Sequence, residues 1–188
     1  MRLSLGFVDG RHHLRGADLL TALHTVWPDM QAIDIRFHHP IEGDVELVKA
    51  SDYVGDSPCT IIVKLNGENV KFKVRPLPRQ NFEALTLDEA AIVARATHSE
   101  NALTIEPADH DNFYDLVFTL QKALVNTAFP AVNGKWMLTR YLAEYPHPAN
   151  QPMTVSLHRN LGTRLVCSNV STDKQAIGQI FFSLMESA

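Results

Sequence analysis

Asp173-Lys174-Gln175-Ala176-Ile177-Gly178-Gln179-Ile180-Phe181-Phe182-Ser183-Leu184 is the stretch on which the reading of the fold turns. Ile177, Ile180, Phe181 and Leu184 recur at intervals of three and four, the spacing of one helix face. The stretch therefore predicts a last helix that starts after Ser171-Thr172-Asp173.

Upstream of it, residues 153–158 and 163–168 predict two strands around Asn160-Leu161-Gly162, and Pro146, Pro148 and Pro152 predict a rigid loop before them. Residues 135–143 read as a strand with Trp136, Leu138 and Leu142 on one side. Residues 111–127 carry Phe113, Leu116, Val117, Leu120 and Leu124 on one face, the clearest helix in the chain. Asp109 and Asp111 stand near its positive N-terminus. Residues 102–105 form a short strand, so this half reads strand, helix, strand, hairpin, helix.

The first half repeats the order. Residues 2–8 alternate as a strand, and Gly6–Gly10 make a turn. Leu19, Leu20, Leu23 and Trp27 form a helical stripe, which Pro28 ends by pushing its predecessor out of the helical region. Residues 32–37 alternate strictly. Residues 39–58 are acidic and irregular, with a short strand near 45–48. Strands 60–65 and 70–75 flank Asn66-Gly67, a pair that tolerates positive φ. Thr86 and Glu89 have capping-box form and predict a helix to residue 97 burying Leu87, Ala90, Ala91 and Ala94.

The expected fold is therefore α+β. Two pseudo-duplicated strand–helix–strand–hairpin–helix units, 1–97 and 102–188, form mixed or antiparallel sheets with helices on one face, packed as a single compact unit. The tandem order resembles the duplicated small-molecule-sensing modules of transcription effector domains, which hold a ligand in a groove between halves. Only the order of elements carries that likeness, and it transfers no site.

Bulk numbers agree with a folded domain. The 188 residues are 45% apolar and 20% charged, and 17 cations against 21 acids give a net charge of −4. That apolar content offsets the entropy of ordering the chain, so disorder is excluded. No apolar run reaches the roughly 18 residues that cross a bilayer. Cys59 and Cys167 sit in apolar runs and read as reduced core residues of a cytoplasmic protein.

Chemistry is sparse. Nine histidines include the pairs His12-His13 and His38-His39, but neighbours on a strand point to opposite faces and rarely share one metal ion. HExxH, paired CxxC, GxSxG and phosphate-loop spacings are absent, so no cofactor, metal or catalytic residue is assigned. The chief surface signal is basic. Lys71, Lys73 and Arg75 alternate with Val70, Phe72 and Val74, which puts three cations on one strand face. Lys64 and the outward Arg36 extend the set, and the five form the expected partner-binding face. An acidic protein suits it, while the acidic chain and the missing aromatics disfavour nucleic acid. The leading expectation is a non-enzymatic, bacterial-type cytosolic binding protein: an inhibitor, immunity or accessory factor. The alternatives are a small-molecule module with a groove between its halves lined by Phe37, Trp136 and Tyr141, and a histidine-dependent hydrolase or metal enzyme.

Overall fold

Asn66 and Gly67 take φ of 51° and 84°, so the chain reverses in a tight turn between two strands, as the Asn-Gly pair predicts. This hairpin is the centre of the first of two units, Met1–Leu87 and Asp88–Ala188. The computed structural model describes residues 1–3, 5, 7–8, 13–78, 84–144, 151–162, 164–173 and 175–185. Gly6, Asp9, Gly10, His12, Pro146, Pro148, Thr163 and Lys174 lie outside them.

In chain order the first unit holds β1 (Arg2–Leu3), β2 (Phe7–Val8), α1 (Gly16–Val26), β3 (Ala32–Phe37) and β4 (Asp44–Lys49). A 3-10 turn (Ala50–Asp52), β5 (Cys59–Leu65), β6 (Glu68–Leu77) and β7 (Ala84–Leu85) complete it. Strands β1-β4-β6-β5-β3 lie side by side, all antiparallel. β2 and β7 form a separate parallel pair. Alternation sorts the faces. Ile33, Ile35, Ile61, Val63, Val74 and Leu47 are buried on one side, along with Leu19, Leu20 and Leu23 of α1. Trp27, at the end of α1, stacks on Phe72 of β6 with ring centroids 5.1 Å apart.

The second unit holds α2 (Glu89–Arg95), β8 (Thr97–Ser99), β9 (Ala102–Ile105), α3 (Phe113–Ala128), β10 (Lys135–Glu144), β11 (Met153–Leu161), β12 (Leu165–Thr172) and β13 (Ala176–Met185). Its antiparallel sheet runs β10-β13-β12-β11-β9-β8. Asn112 Oδ1 caps α3 by accepting from the Tyr114 and Asp115 N–H groups at 2.9 and 3.3 Å. Leu116, Val117, Leu120, Leu124 and Val125 are buried, whereas Phe113 is half-exposed.

Several expectations are corrected. Residues 176–185 are a strand, not a helix, and the strand–helix–strand–hairpin–helix duplication falls with it. The stretch is apolar on both faces, so it fits the helical and the strand period alike. As a strand, Ile180 and Phe182 are buried while Phe181, of opposite parity, is half-exposed. Gly178 shows why pairing wins: a Cβ there would stand 2.0 Å from the Leu142 carbonyl oxygen of β10, the backbone approach that glycine allows. The helix expected over 86–97 is only α2, capped by Asp88, whose Oδ1 accepts from Ala91 N–H at 2.9 Å. It buries Ile92, and the alanines expected inside are exposed.

Ion pairs tie α2 to α3 and to the loop that precedes it. Lys122 meets Glu89, and Arg95 holds Asp111 through both carboxylate oxygens at 2.9 and 2.8 Å. Burial pushes the Asp111 carboxyl up, but the Ala108 N–H, the Arg95 guanidinium and His110 together outweigh it and hold it below the ordinary value. A carboxyl lowered in the folded state stabilises above its unfolded pKa of about 3.9 and loses that contribution as pH falls through the folded value. Acid titration of unfolding should therefore show a shallower loss below about pH 4 in Asp111→Asn than in wild type. Equal slopes would detach Asp111 from acid stability.

Candidate functional site

Register puts Lys64, Lys71, Lys73, Arg75 and Arg36 on the outer face of the first unit's sheet, as their alternation requires. Thr60 pairs with Lys73 and Arg36, Glu46 with Arg75, and Ile62 with Lys71 and Asp34. Two cations are neutralised locally. Arg36 Nη2 lies 2.8 Å from Asp34 Oδ2, and Arg75 Nη1 lies 2.6 Å from Glu46 Oε2. Lys64 and Lys71 have no carboxylate partner among the described residues. An aromatic ring absent from the strand pattern comes from the loop after the 3-10 turn. Tyr53 lies 5.2 Å from Lys73 Nζ and 5.7 Å from Arg75 Cζ.

Among the described residues the histidines do not gather into a metal-binding group. His39, His98, His110 and His158 are exposed, and His38 Nε2 meets the Thr60 hydroxyl at 3.2 Å. Among the described residues no three His, Cys, Asp or Glu side chains are grouped to hold a metal ion. Both cysteines are free and buried. Burial pushes both thiols up, and at Cys167 it outweighs the opposing pull of Arg159 and Arg140. A thiol so raised stays protonated and is a poor nucleophile.

Phe37 belongs to the first unit, and Trp136 and Tyr141 to the second. Phe37 is half-buried on β3. Trp136 lies 5.8 Å from the Phe129 ring at the end of α3. Tyr141 is wholly buried under α3, edge-on to Tyr114 at 6.1 Å and to Phe118 at 5.7 Å.

Tyr141 leads to a group of residues that sequence reasoning missed. It pairs with Ile180, and Ile180 with Ser168, so Tyr141 and Ser168 share the sheet face that α3 covers. Thr172 lies on that face too, four residues along β12. Gln121 stands on α3 one turn beyond Phe118. The Gln121 amide oxygen and nitrogen, Tyr141 hydroxyl, Ser168 Oγ and Thr172 Oγ1 are all buried without a hydrogen-bond partner among the described residues. Gln121 and Ser168 are 0% exposed. Burial pushes the Tyr141 hydroxyl well above its usual range, Tyr114 adding to it, so it remains a donor. Each buried unpaired group costs about 1–3 kcal/mol, and natural proteins keep few of them. Tyr141, Ser168 and Thr172 on one sheet face, and Gln121 on the helix that covers it, thus keep buried hydrogen-bonding groups unused among the described residues. One signal was available: Gln121 is a polar residue inside the apolar stripe of Val117, Leu120 and Leu124.

No protein-family model matches the chain, and no curated protein matches it in sequence. Solved structures do. A monomeric dehydratase domain from a trans-AT polyketide synthase split module is 12% identical, with TM-score 0.52 over 98% of both chains. A protein assigned as a thioesterase II from Thermobifida fusca is 12% identical, with TM-score 0.53 over 99% of this chain and 91% of its own. The dehydratase domain of PpsC from Mycobacterium tuberculosis, solved with C12:1-CoA, is 10% identical, with TM-score 0.50 over 95% and 87%. The likeness is one of fold, the hotdog arrangement of a long helix against an antiparallel sheet. It overturns the expected non-enzymatic inhibitor, immunity or accessory factor, because the structures sharing the fold are dehydratase domains and a thioesterase. It gives no support to an acidic protein partner. In the described residues no helix is long and apolar enough to cross a membrane.

Proposed function

We propose that the chain binds an acyl thioester and acts on it as an enzyme. The observation that carries this reading is the match, over nearly the whole chain, to a dehydratase domain and a thioesterase, with a third relative solved holding an acyl-CoA. The buried polar set of the second unit supports it chemically. A thioester carbonyl gathers negative charge when water attacks its carbon, or when a proton leaves the adjacent carbon. Donors already in place stabilise that charge far better than mobile water. Gln121, Tyr141, Ser168 and Thr172 each offer a donor in an apolar layer that suits an acyl chain. All four are neutral, so a base must come from elsewhere. Asp115, the one carboxylate on α3, has a buried Oδ1 and fills that role in this reading. A cytoplasmic setting belongs to the same proposal and is supported by the two free, buried cysteines.

Two reactions are consistent with it. In hydrolysis, water adds to the carbonyl carbon, the carbon–sulfur bond breaks, and a carboxylic acid and a thiol leave. In dehydration, a 3-hydroxyacyl thioester loses a proton from carbon 2 and hydroxide from carbon 3, leaving an enoyl thioester and water. Incubating the purified chain with saturated and 3-hydroxyacyl-CoA esters, and following free thiol and enoyl absorbance, separates them. One product should form, and Asp115→Asn should remove turnover while acyl-CoA still raises the melting temperature. Neither turnover nor a melting shift with any acyl-CoA or acyl-pantetheine would overturn the reading.

A further inference from the structure

The outer face of the first unit's sheet is strongly cationic although the chain as a whole is at −4. Register places Arg2, Glu46 and Arg75 in one row, Arg36 and Lys73 in a second, Asp34 and Lys71 in a third, and Lys64 in a fourth. Six cations against Asp34, Glu46 and the buried Asp44, which shares the parity of Glu46 on β4, leave this face at +3, since 6 − 3 = 3. Arg2, Arg36, Lys64, Lys71 and Arg75 are exposed. Like charges so close repel one another, and a folded chain gains nothing from concentrating them.

A second observation narrows what the face suits. The loop carrying Tyr53 and Val54 is tied to it: the Tyr53 hydroxyl donates to the Asp56 carbonyl at 2.9 Å, and Lys73 Nζ donates to the Gly55 carbonyl at 3.5 Å. The Tyr53 ring lies beside Lys73 and Arg75. Next to it Val54 is 96% exposed, and nothing stands within 4 Å of the Cβ position of Gly55, which has φ of 100°. The Lys73 ammonium thus lies beside an aromatic ring whose neighbour in the chain is an exposed aliphatic residue, and Lys71 and Lys64 follow on the same sheet face.

We propose that this face binds a nucleoside polyphosphate. Its phosphates would lie between Lys71, Lys64 and Lys73, and its base against Tyr53 and Val54. Cations alone would accept any polyanion, but the ring and the valine favour a ligand with a flat apolar part joined to its phosphates. A long nucleic acid would run past the patch onto an acidic chain, which repels it. An acidic protein has no need of Tyr53. The proposal does not depend on the acyl-thioester reading, and its test involves no thioester.

The test is calorimetric titration of the full chain with ADP, inorganic pyrophosphate and adenosine at low salt, with melting curves confirming that each variant is folded. Wild type should bind ADP most tightly and lose affinity as salt rises. Lys71→Glu/Lys73→Glu should weaken ADP about tenfold or more. Should that variant fail to fold, Lys64→Ala/Lys71→Ala, at exposed positions without an ion-pair partner among the described residues, should weaken ADP in the same direction. Tyr53→Ala should weaken ADP about fivefold while leaving pyrophosphate unchanged, and Tyr53→Phe should restore it. Pyrophosphate binding as tightly as ADP, ADP affinity indifferent to Tyr53 or to the lysines, or tighter binding of an acidic peptide or a single-stranded oligonucleotide would each overturn the proposal.

Discussion

Leu120→Ala should lower the unfolding free energy of the protein by about 2–5 kcal/mol, the range for truncating a core leucine and leaving a cavity behind. Leu120 is 0% exposed on α3, with Leu116, Val117 and Leu124 buried around it on the same face. The helix lies against β9, β11 and β12, where Leu103, Ile105, Val155 and Val170 are also buried. Well-packed neighbours on several elements collapse poorly into a void, which places the cost toward the upper part of that range. Denaturant unfolding followed by tryptophan fluorescence and by circular dichroism measures it. A midpoint equal to wild type would mean that α3 does not bury this face.

Gln121→Leu, one residue further on, should move stability the other way. The Gln121 amide is 0% exposed and neither of its polar atoms has a hydrogen-bond partner among the described residues. An apolar side chain of similar size removes that desolvation cost, so the unfolding free energy should rise by about 1–2 kcal/mol. The same change should cut acyl-thioester turnover by about 10²–10³-fold, the usual loss when one donor to a developing oxyanion is removed. A more stable but less active variant is the signature of a group kept for function at the expense of stability. A variant destabilised by the change would show that the amide is satisfied in solution, and unchanged turnover would remove it from the chemistry. Tyr141→Phe and Ser168→Ala test the same layer, each deleting one hydroxyl while keeping the packing.

Local patterns identified much of the architecture because one period matched one structure. The strict alternation of residues 32–37 and 70–75 is β3 and most of β6, and Asn66-Gly67 is the turn beside them. The stripe from Leu116 to Leu124 is α3. Where both periods fit, the local pattern does not decide between them. Ile177, Ile180, Phe181 and Leu184 match a helix, yet the unpaired edges of β10 and β12 take β13 as their common neighbour. No window of residues 173–184 contains that information, because the partners lie on other strands. The α2 cap is Asp88 and not Thr86 for a simpler reason: both residue types, two positions apart, can accept from a helix N-terminus.

Composition and period, by themselves, determined that this chain folds, that its central hairpin turns at Asn66-Gly67, that α3 buries an apolar face, and that Lys71, Lys73 and Arg75 point the same way. These properties follow from residues a few positions apart. Pairing across strands decided the rest. It made β13 a strand, put Ser168 in register with Tyr141 through Ile180, and set both on the face that α3 covers with Gln121. It also brought the Tyr53 ring beside Lys73 and Arg75, from a loop with no pattern of its own. Hydrogen bonds between strands join residues far apart in sequence, and the burial that leaves a polar atom without water is created only when helix and sheet meet.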